Sequence, residues 1–324
     1  MRAMPALLLA CAAFSALSLC MGPHGFAPGI VAQALAGEET GRLILIELRL
    51  PRLLLGLLVG GTLGLAGATL QGLFRNPLAE PGVIGVSGCA ALGAVIAFYT
   101  GVSTMLPLGL PLGGVAGALI AIMVLLALAS RDPRISTLLL AGVALSALAS
   151  ALTALALNLS PNPYATVEVV FWLLGSLSDR SLEHVFLALP FILAGGALML
   201  ACGRGLEALT LGEDTARSLG ISIGRLRRLA VIGVAFAVGA SVAVTGAIGF
   251  VGLIVPHLLR PLVDHRPAPL LLISIPGGAC LTLAADIAVR LIGGEVELRL
   301  GVATALIGAP FFLYLVLNLA RRAP

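Results

Sequence analysis

The sequence predicts an all-α integral membrane protein with about ten transmembrane helices, and three observations support this fold class. Of the 324 residues, 59% are hydrophobic and only 10% are charged, whereas a soluble domain is about 25% charged. The mean hydropathy is +1.11. Charge-free intervals recur, and several exceed the roughly 20 residues that a membrane-spanning helix needs. A soluble domain and a disordered chain are therefore excluded, and the unbroken apolar blocks do not match the alternating strands of an outer-membrane barrel.

The first five spans are predicted from the charge-free intervals of the N-terminal half. Residues 4–21 form the first apolar segment, and no clear cleavage site follows it, so we interpret it as a membrane helix. Residues 53–74 form the second span. Residues 81–130 accommodate the third and fourth, divided by the proline- and glycine-rich stretch 107–111. Residues 135–167 contain the fifth.

The C-terminal half predicts five more spans and one polar segment. Residues 169–178 are apolar but too short to cross, and residues 184–203 form the sixth span. The longest polar stretch follows, at about 204–228. Residues 229–264 provide the seventh and eighth spans with a glycine-rich break at 245–252, as in the discontinuous helices of transporters. Residues 268–289 and 300–319 complete the count, so residues 1–324 form one transmembrane domain.

Small residues recur every fourth position in the second span, at Gly56, Gly60 and Gly64. This spacing lets two helices approach closely in lipid. We therefore predict a tight helix contact along this face.

The arginines predict the orientation. With ten spans both chain ends lie on the same side of the membrane. If that side is the cytoplasm, thirteen of the nineteen basic residues face inward, as the positive-inside rule requires. The six that face outward are Arg42, Arg49, Arg52, Arg180, Arg290 and Arg299. The pI of about 9.1 is then explained by membrane orientation, and no nucleic-acid partner is needed.

Two features of composition exclude classes of chemistry. All nineteen basic residues are arginine, so neither a Walker-type phosphate loop nor a Schiff-base lysine exists in this chain. The five cysteines are widely spaced in apolar runs and form no C-x-x-C pair, so we expect no metal site. We also expect no cofactor bound by this chain.

Five sequence blocks resemble one family in the same order along nearly the whole chain. The first joins R-L-P-R-L-L-L-G from Arg49 to G-A-T-L-Q-G-L-F-R-N-P-L-A-E-P-G-V-I-G from Gly67. The others are F-W-L-L-G-S-L from Phe171, L-G-E-D-T-A-R-S-L-G-I from Leu211, G-F-V-G-L-I-V-P-H-L-L-R from Gly249 and L-I-G-A-P-F-F-L from Leu306. Together they resemble the permease family of type II ABC importers, which moves iron chelates (siderophores), haem and cobalamin across the bacterial inner membrane.

The resemblance implies an assembly. Permeases of this family pair as homodimers, bind two copies of a separate ATP-binding cassette ATPase on the cytoplasmic face, and receive substrate from a periplasmic binding protein. ATP and Mg²⁺ would be held by the ATPase, so this chain would be a transport subunit without catalytic residues. The resemblance does not identify which chelate is carried.

Three outer arginines are implied in docking of the binding protein. Arg49 and Arg52 precede the second span, and Arg290 lies at the outer end of the ninth. Guanidinium groups pair with carboxylates in a bidentate manner, which suits docking. Asp286 lies four residues before Arg290, and this spacing also predicts an ion pair within the helix.

The polar stretch is implied to hold the coupling helix that contacts the ATPase. Glu213, Asp214 and Thr215 favour a helix start after Gly212, and Gly220 favours its end. Ala216 and Leu219 are expected to form its small, firm contact face, and Arg217 lies between them.

Cytoplasmic gates are implied near Asn76, Pro77 and Leu78, and near Ser136 and Thr137. A plain structural turn is the alternative for these positions. Arg180, beside the short 169–178 segment, is a candidate contact for an anionic chelate at the outer mouth.

Other function classes fit less well. An ion-coupled secondary transporter of a small solute is expected to carry carboxylates near the bilayer midplane, whereas the acidic residues here cluster at predicted span ends. A membrane enzyme is disfavoured because no H-E-x-x-H or G-x-S-x-G motif is present. A receptor or scaffold leaves the coupling-helix match unexplained.

Overall fold

The computed structural model describes residues 3–22, 25–106, 108–131, 135–160, 162–292 and 298–322. Pro107 of the predicted turn, and Arg2 and Arg134 of the predicted inner arginines, lie outside these ranges. The described chain is almost entirely helical, and one two-stranded antiparallel pair, Met21–Gly22 with Gly25–Phe26, follows the first helix.

Ten apolar helices account for the predicted spans. Seven of them are long and apolar enough to cross a membrane, and three are shorter, so the predicted fold class is confirmed. In chain order, the ten helices are α1 (Ala3–Cys20), α4 (Leu50–Phe74), α5 (Val86–Tyr99), α7 (Gly109–Arg131), α8 (Ile135–Asn158), α10 (Leu182–Ala201), α13 (Ile223–Thr245), α14 (Val251–Leu259), α15 (Pro267–Ile292) and α16 (Leu300–Arg322).

Short helices and turns connect the spans. On the predicted outer side a π-helical turn, Ile44–Arg49, runs directly into α4. Two 3₁₀ turns, Pro81–Ile84 and Arg260–Val263, precede α5 and follow α14. The remaining helices are α2 (Gly29–Leu35), α3 (Glu39–Leu43), α6 (Val102–Met105), α9 (Pro163–Leu173), α11 (Gly203–Leu209) and α12 (Glu213–Ser218).

The seventh span begins six residues earlier than predicted. Ser222 caps α13 by accepting a hydrogen bond from the backbone N–H of Arg225. The first turns of α13 therefore carry Arg227 and Arg228, which hydropathy assigns to a loop. Long arginine side chains allow this because their apolar stems pack while the charged groups reach polar partners.

Helix α4 packs most closely against α15, and the glycine face predicted in the second span makes this contact. A Cβ atom added at Gly60 would lie 2.6 Å from the carbonyl oxygen of Gly278, and one at Gly64 would overlap the carbonyl oxygen of Ser274. The predicted tight helix contact is confirmed. The core that results from it also includes α10 and α13.

Two helices are clearly shorter than a full span. Helix α5 has 14 residues and is therefore about 21 Å long at 1.5 Å per residue, against a bilayer core of about 30 Å. Helix α14 has nine residues and follows five residues of irregular chain after Thr245. The predicted glycine-rich break is thus confirmed, and α5 adds a second interruption that hydropathy did not show.

Candidate functional site

Helix α12 is fixed at its end by backbone hydrogen bonds. The N–H of Ile221 donates to the carbonyl of Ala216, and the N–H of Gly220 donates to that of Arg217. This is the Schellman pattern, in which a residue with positive φ ends the helix. Gly220 has φ +82°, so glycine fits the position and a side chain would strain it. The predicted short helix between Gly212 and Gly220 is confirmed.

The two faces of α12 have different environments. Ala216 is fully buried against the chain, whereas Leu219 is 61% exposed. The structure therefore places Ala216 inside the protein, and the role of both residues in contacting a partner stays a prediction. Leu219 remains available at the surface.

One ion pair joins α12 to a neighbouring helix, and two others lie within α12 itself. Glu213 accepts a hydrogen bond of 2.5 Å from the nearly buried guanidinium of Arg227 on α13. Arg217 pairs with Glu213 and Asp214 on the exposed face, where such pairs contribute little to stability. The link from Glu213 to Arg227 therefore joins α12 to α13 directly.

At the outer end of the molecule, Asp286 is the centre of a buried ion network. Arg52 donates from Nε and Nη2 to the Asp286 carboxylate, at 3.0 and 2.8 Å. Arg290 donates to the same carboxylate from Nε at 2.9 Å. The i, i+4 ion pair predicted between Asp286 and Arg290 is confirmed, and its extension to Arg52 joins α15 to α4.

The same arginines also bind the carboxyl end of α1. Arg290 donates to the carbonyls of Ser18 and Met21, at 3.1 and 3.2 Å, and Arg49 donates to those of Leu19 and Ala27. The last carbonyls of a helix lack intrahelical partners and carry partial negative charge. Arginine side chains therefore satisfy them and fix α1 to α4 and α15.

These hydrogen bonds limit how much of the outer arginines is accessible to a partner. Arg49 is 6% and Arg290 4% exposed, and the side chain of Arg52 is 14% exposed. Their guanidinium groups donate hydrogen bonds within the chain. Their role in docking stays a prediction.

The predicted inner gate lies where α4 ends. Arg75 adopts a left-handed conformation, and the side chain of Asn76 accepts a hydrogen bond from the N–H of Leu78 at 2.9 Å. Asn76 is exposed, and Pro77 and Leu78 are partly buried. Leu78 packs against an apolar cluster of α14 and α16.

Ser136 and Thr137 lie in the first turn of α8, where Ser136 is exposed and Thr137 partly buried. Further along α8, the Ser146 hydroxyl donates to the carbonyl of Gly82 at 3.4 Å. This hydrogen bond links α8 to the segment that follows α4. The gate roles of these residues, and of Asn76, Pro77 and Leu78, stay predictions.

A polar pair near this inner end was not predicted from sequence. Arg260 donates to Oε1 of Gln71, a fully buried residue, and the Gln71 amide donates in turn toward the carbonyls of Gly252 and Leu253 at 3.4 Å. The pair joins α4 to α14 and its 3₁₀ extension. A single glutamine in an otherwise apolar span was the available signal.

At the outer mouth three segments meet backbone to backbone. The N–H of Ser176 donates to the carbonyl of Thr245 at 2.7 Å, and the N–H of Gly301 donates to that of Gly175 at 3.2 Å. A Cβ added at Gly246 would overlap the carbonyl oxygen of Trp172. The end of α9, the break after α13 and the start of α16 are thus held as one unit.

Arg180 lies beside this unit, next to a small cavity of about 110 Å³ that Glu168 and Trp172 also line. Burial of the guanidinium, together with repulsion from Arg299, lowers the pKa of Arg180. A buried cation favours anionic partners, which agrees with the expected position of Arg180, but its contact with a chelate stays a prediction.

Metal-binding groups do not come together in the described ranges: no three His, Cys, Asp or Glu side chains there are placed to hold an ion. The five cysteines are free thiols.

Comparison with known proteins relates the whole chain to membrane permeases. Residues 8–318 match the FecCD transport family. The chain is 41% identical over 312 residues to the vitamin B12 import system permease protein BtuC of Salmonella typhi, and 40% identical to that of Salmonella paratyphi A. Each alignment covers 94% of this chain and 91% of the relative. A solved structure described as an inward-facing metal-chelate type ABC transporter matches with a TM-score of 0.87 and 32% identity, covering 98% of this chain and 99% of that chain.

Proposed function

The chain belongs to the FecCD transport family, and on that premise we propose that it carries a corrinoid of the vitamin B12 type across the bacterial inner membrane. It is the permease subunit of an ABC importer. Relatives that are about two-fifths identical over nearly their full length are vitamin B12 permeases, and this observation carries the choice of substrate over a siderophore or haem.

The proposed assembly is inferred from the surfaces that the chain presents on the two sides of the membrane. Two copies of this chain pair in the membrane and two ATPase subunits bind α12 from the cytoplasm. A periplasmic binding protein delivers substrate to the outer face, where Arg52 is the most accessible of the three candidate arginines. The absence of lysine requires that ATP and Mg²⁺ be held by the ATPase, and we propose no cofactor in this chain.

The proposed coupling runs along α13. A displacement of α12 by the ATPase passes through the Glu213–Arg227 ion pair into the first turns of this helix. Helix α13 has 23 residues and is therefore about 35 Å long, and it ends at the break that holds the outer mouth together. A single continuous helix of this length connects the cytoplasmic surface to the outer mouth.

Reconstitution tests the proposal. Proteoliposomes that contain this chain and its cognate ATPase are supplied with the binding protein. They are expected to accumulate radiolabelled cyanocobalamin only when ATP is present on the side of the membrane where the ATPase is bound. Ferric siderophore and haem serve as competing substrates. An ATPase variant without its phosphate-loop lysine is the control.

The outcomes separate the alternatives. Preferential uptake of a ferric siderophore or haem would overturn the substrate but keep the importer. Uptake that continues with the inactive ATPase and stops with a protonophore would support an ion-coupled secondary transporter.

A further inference from the structure

Glu80 lies deep in the protein, although it follows the inner end of α4 by only six residues. A Cβ atom added at Gly252 would lie 2.8 Å from Cδ of Pro81 and 2.9 Å from the carbonyl oxygen of Leu63. Leu63 precedes the end of α4 by 11 residues, or roughly 16 Å. The chain therefore turns back into the membrane after α4, and residues 75–80, the return segment, place Glu80 near mid-depth. The expectation that the acidic residues lie at span ends is therefore wrong for Glu80, because hydropathy does not show that the chain re-enters the membrane here.

The carboxylate of Glu80 meets the break between α13 and α14. The carboxylate lies beside the backbone of Phe250, the residue that precedes the first turn of α14, and both residues line the same cavity. One of its oxygens, Oε2, is buried and has no hydrogen-bond partner in the part of the chain that the structure describes. A cavity of about 180 Å³, which Ser87 and Ile248 also line, adjoins this group.

Two short membrane helices begin near this cavity. Helix α14 starts beside Glu80, and α5 starts at Val86, directly after the 3₁₀ turn that Glu80 precedes. The amino end of a helix carries partial positive charge and unpaired N–H groups. A carboxylate near the start of α14 therefore has a favourable electrostatic environment.

Phe250 has an unusual conformation that needs such support. Its φ is +66°, a left-handed value that is rare for a bulky side chain and persists where surrounding contacts enforce it. Its ring packs directly against Gly308 of α16. A Cβ atom added at Gly308 would overlap the Phe250 ring. The Glu80 carboxylate lies beside the backbone of the same residue.

We propose that Glu80 is a positioning residue for transport, whose carboxylate holds the amino end of α14 to the return segment so that the helix break and the inner end of α4 move together. This inference rests on the proposed function, because it assigns Glu80 to the transport cycle. Glu80 differs in this from an ordinary packing residue, because its contact joins the return segment after α4 to the break between α13 and α14.

The test compares Glu80→Gln with Glu80→Leu in the full-length chain. The glutamine keeps the size and an acceptor beside the Phe250 backbone, and the leucine removes the acceptor. Glu39→Leu, which changes an exposed carboxylate in the first turn of α3, is the matched control. Hydrogen exchange of the peptide that contains residues 248–255 is measured on purified protein, and maximal uptake rate and KM for the loaded binding protein are measured in proteoliposomes.

We expect Glu80→Leu to raise exchange of this peptide and to lower the maximal uptake rate, each by about tenfold, with unchanged KM. Glu80→Gln falls between Glu80→Leu and the wild type, and Glu39→Leu matches the wild type. Unchanged exchange in Glu80→Leu overturns the contact, and raised exchange with a wild-type uptake rate overturns its role in transport. If the wild-type chain shows no ATP-driven uptake, the proposed function fails while the exchange measurement still decides the contact.

Discussion

Buried charges decide the structure at the scale of single residues. Asp286 is 1% exposed and receives hydrogen bonds from Arg52 and Arg290, while Arg49 and Arg290 together cover the carbonyls at the end of α1. A buried ion is tolerated when it is paired and its remaining hydrogen-bonding capacity is satisfied. These arginines therefore support the fold, whatever they contribute to docking.

Replacement of Asp286 by asparagine should destabilise the protein strongly. The change leaves two buried guanidinium groups without a counter-charge, a situation that costs about 3–5 kcal/mol. Thermal unfolding of the detergent-purified chain measures the effect.

Asp214→Asn is the matched control for this prediction, because its side chain is 99% exposed and pairs with Arg217 at the surface. Removing that pair should change the free energy of unfolding by less than about 1 kcal/mol. Equal melting temperatures for Asp286→Asn and Asp214→Asn would contradict the importance of the network.

At the scale of elements, helix ends and helix contacts determine what each segment does. Helix α12 has only six residues and gains its fixed position from the Schellman bonds at Gly220 and from the ion pair with Arg227. A helix this short is unstable alone. Its rigidity, which coupling requires, is thus supplied by neighbouring α11 and α13.

The two faces of α12 should respond differently to substitution. Ala216→Leu inserts a large side chain into a filled contact and should destabilise the protein by about 1–3 kcal/mol. Leu219→Asp alters an exposed position and should leave thermal stability unchanged. It should weaken co-purification with the ATPase at least about tenfold, because an unpaired carboxylate buried in the interface is costly. Full ATPase binding by Leu219→Asp at wild-type stability would remove Leu219 from the coupling surface.

The contact between α4 and α15 should be intolerant of a single methyl group. Gly64→Ala brings a Cβ against the carbonyl oxygen of Ser274, so the helices must separate, at a cost of about 1–3 kcal/mol. Gly196→Ala on α10, where the nearest atom would lie 3.9 Å away, is the control and should be neutral. Comparable melting temperatures for both variants would show that the helix pair adjusts freely.

At the scale of the whole molecule, charge sets orientation and interrupted helices create internal surfaces. The inner side of the predicted topology carries thirteen of nineteen arginines, which favours cytoplasmic chain ends. Between the two faces, α5 and α14 begin within the protein and bring Glu80, Ser87 and Phe250 together. Irregular chain is tolerated at membrane depth where protein surrounds it.

The proposed orientation predicts the accessibility of single introduced cysteines. In a background in which the five native cysteines are replaced by serine, Glu39→Cys should react with a membrane-impermeant maleimide in right-side-out vesicles. Asp214→Cys should react only in inside-out vesicles. The reverse labelling pattern would place both chain ends outside the cytoplasm.

The sequence by itself determined the fold class, the ten apolar segments, the break near residues 245–252 and the short helix after Gly212. These features depend on hydropathy, capping and glycine spacing, which act over a few neighbouring residues. Tertiary structure alone decided that Ala216, Arg49 and Arg290 are buried and that Glu80 lies at mid-depth. Arg52 and Asp286 are 234 positions apart, and no local pattern shows that they share one ion network. The environment of a charged group in a membrane protein is set by which helices meet around it, and that information is not contained in its sequence neighbours.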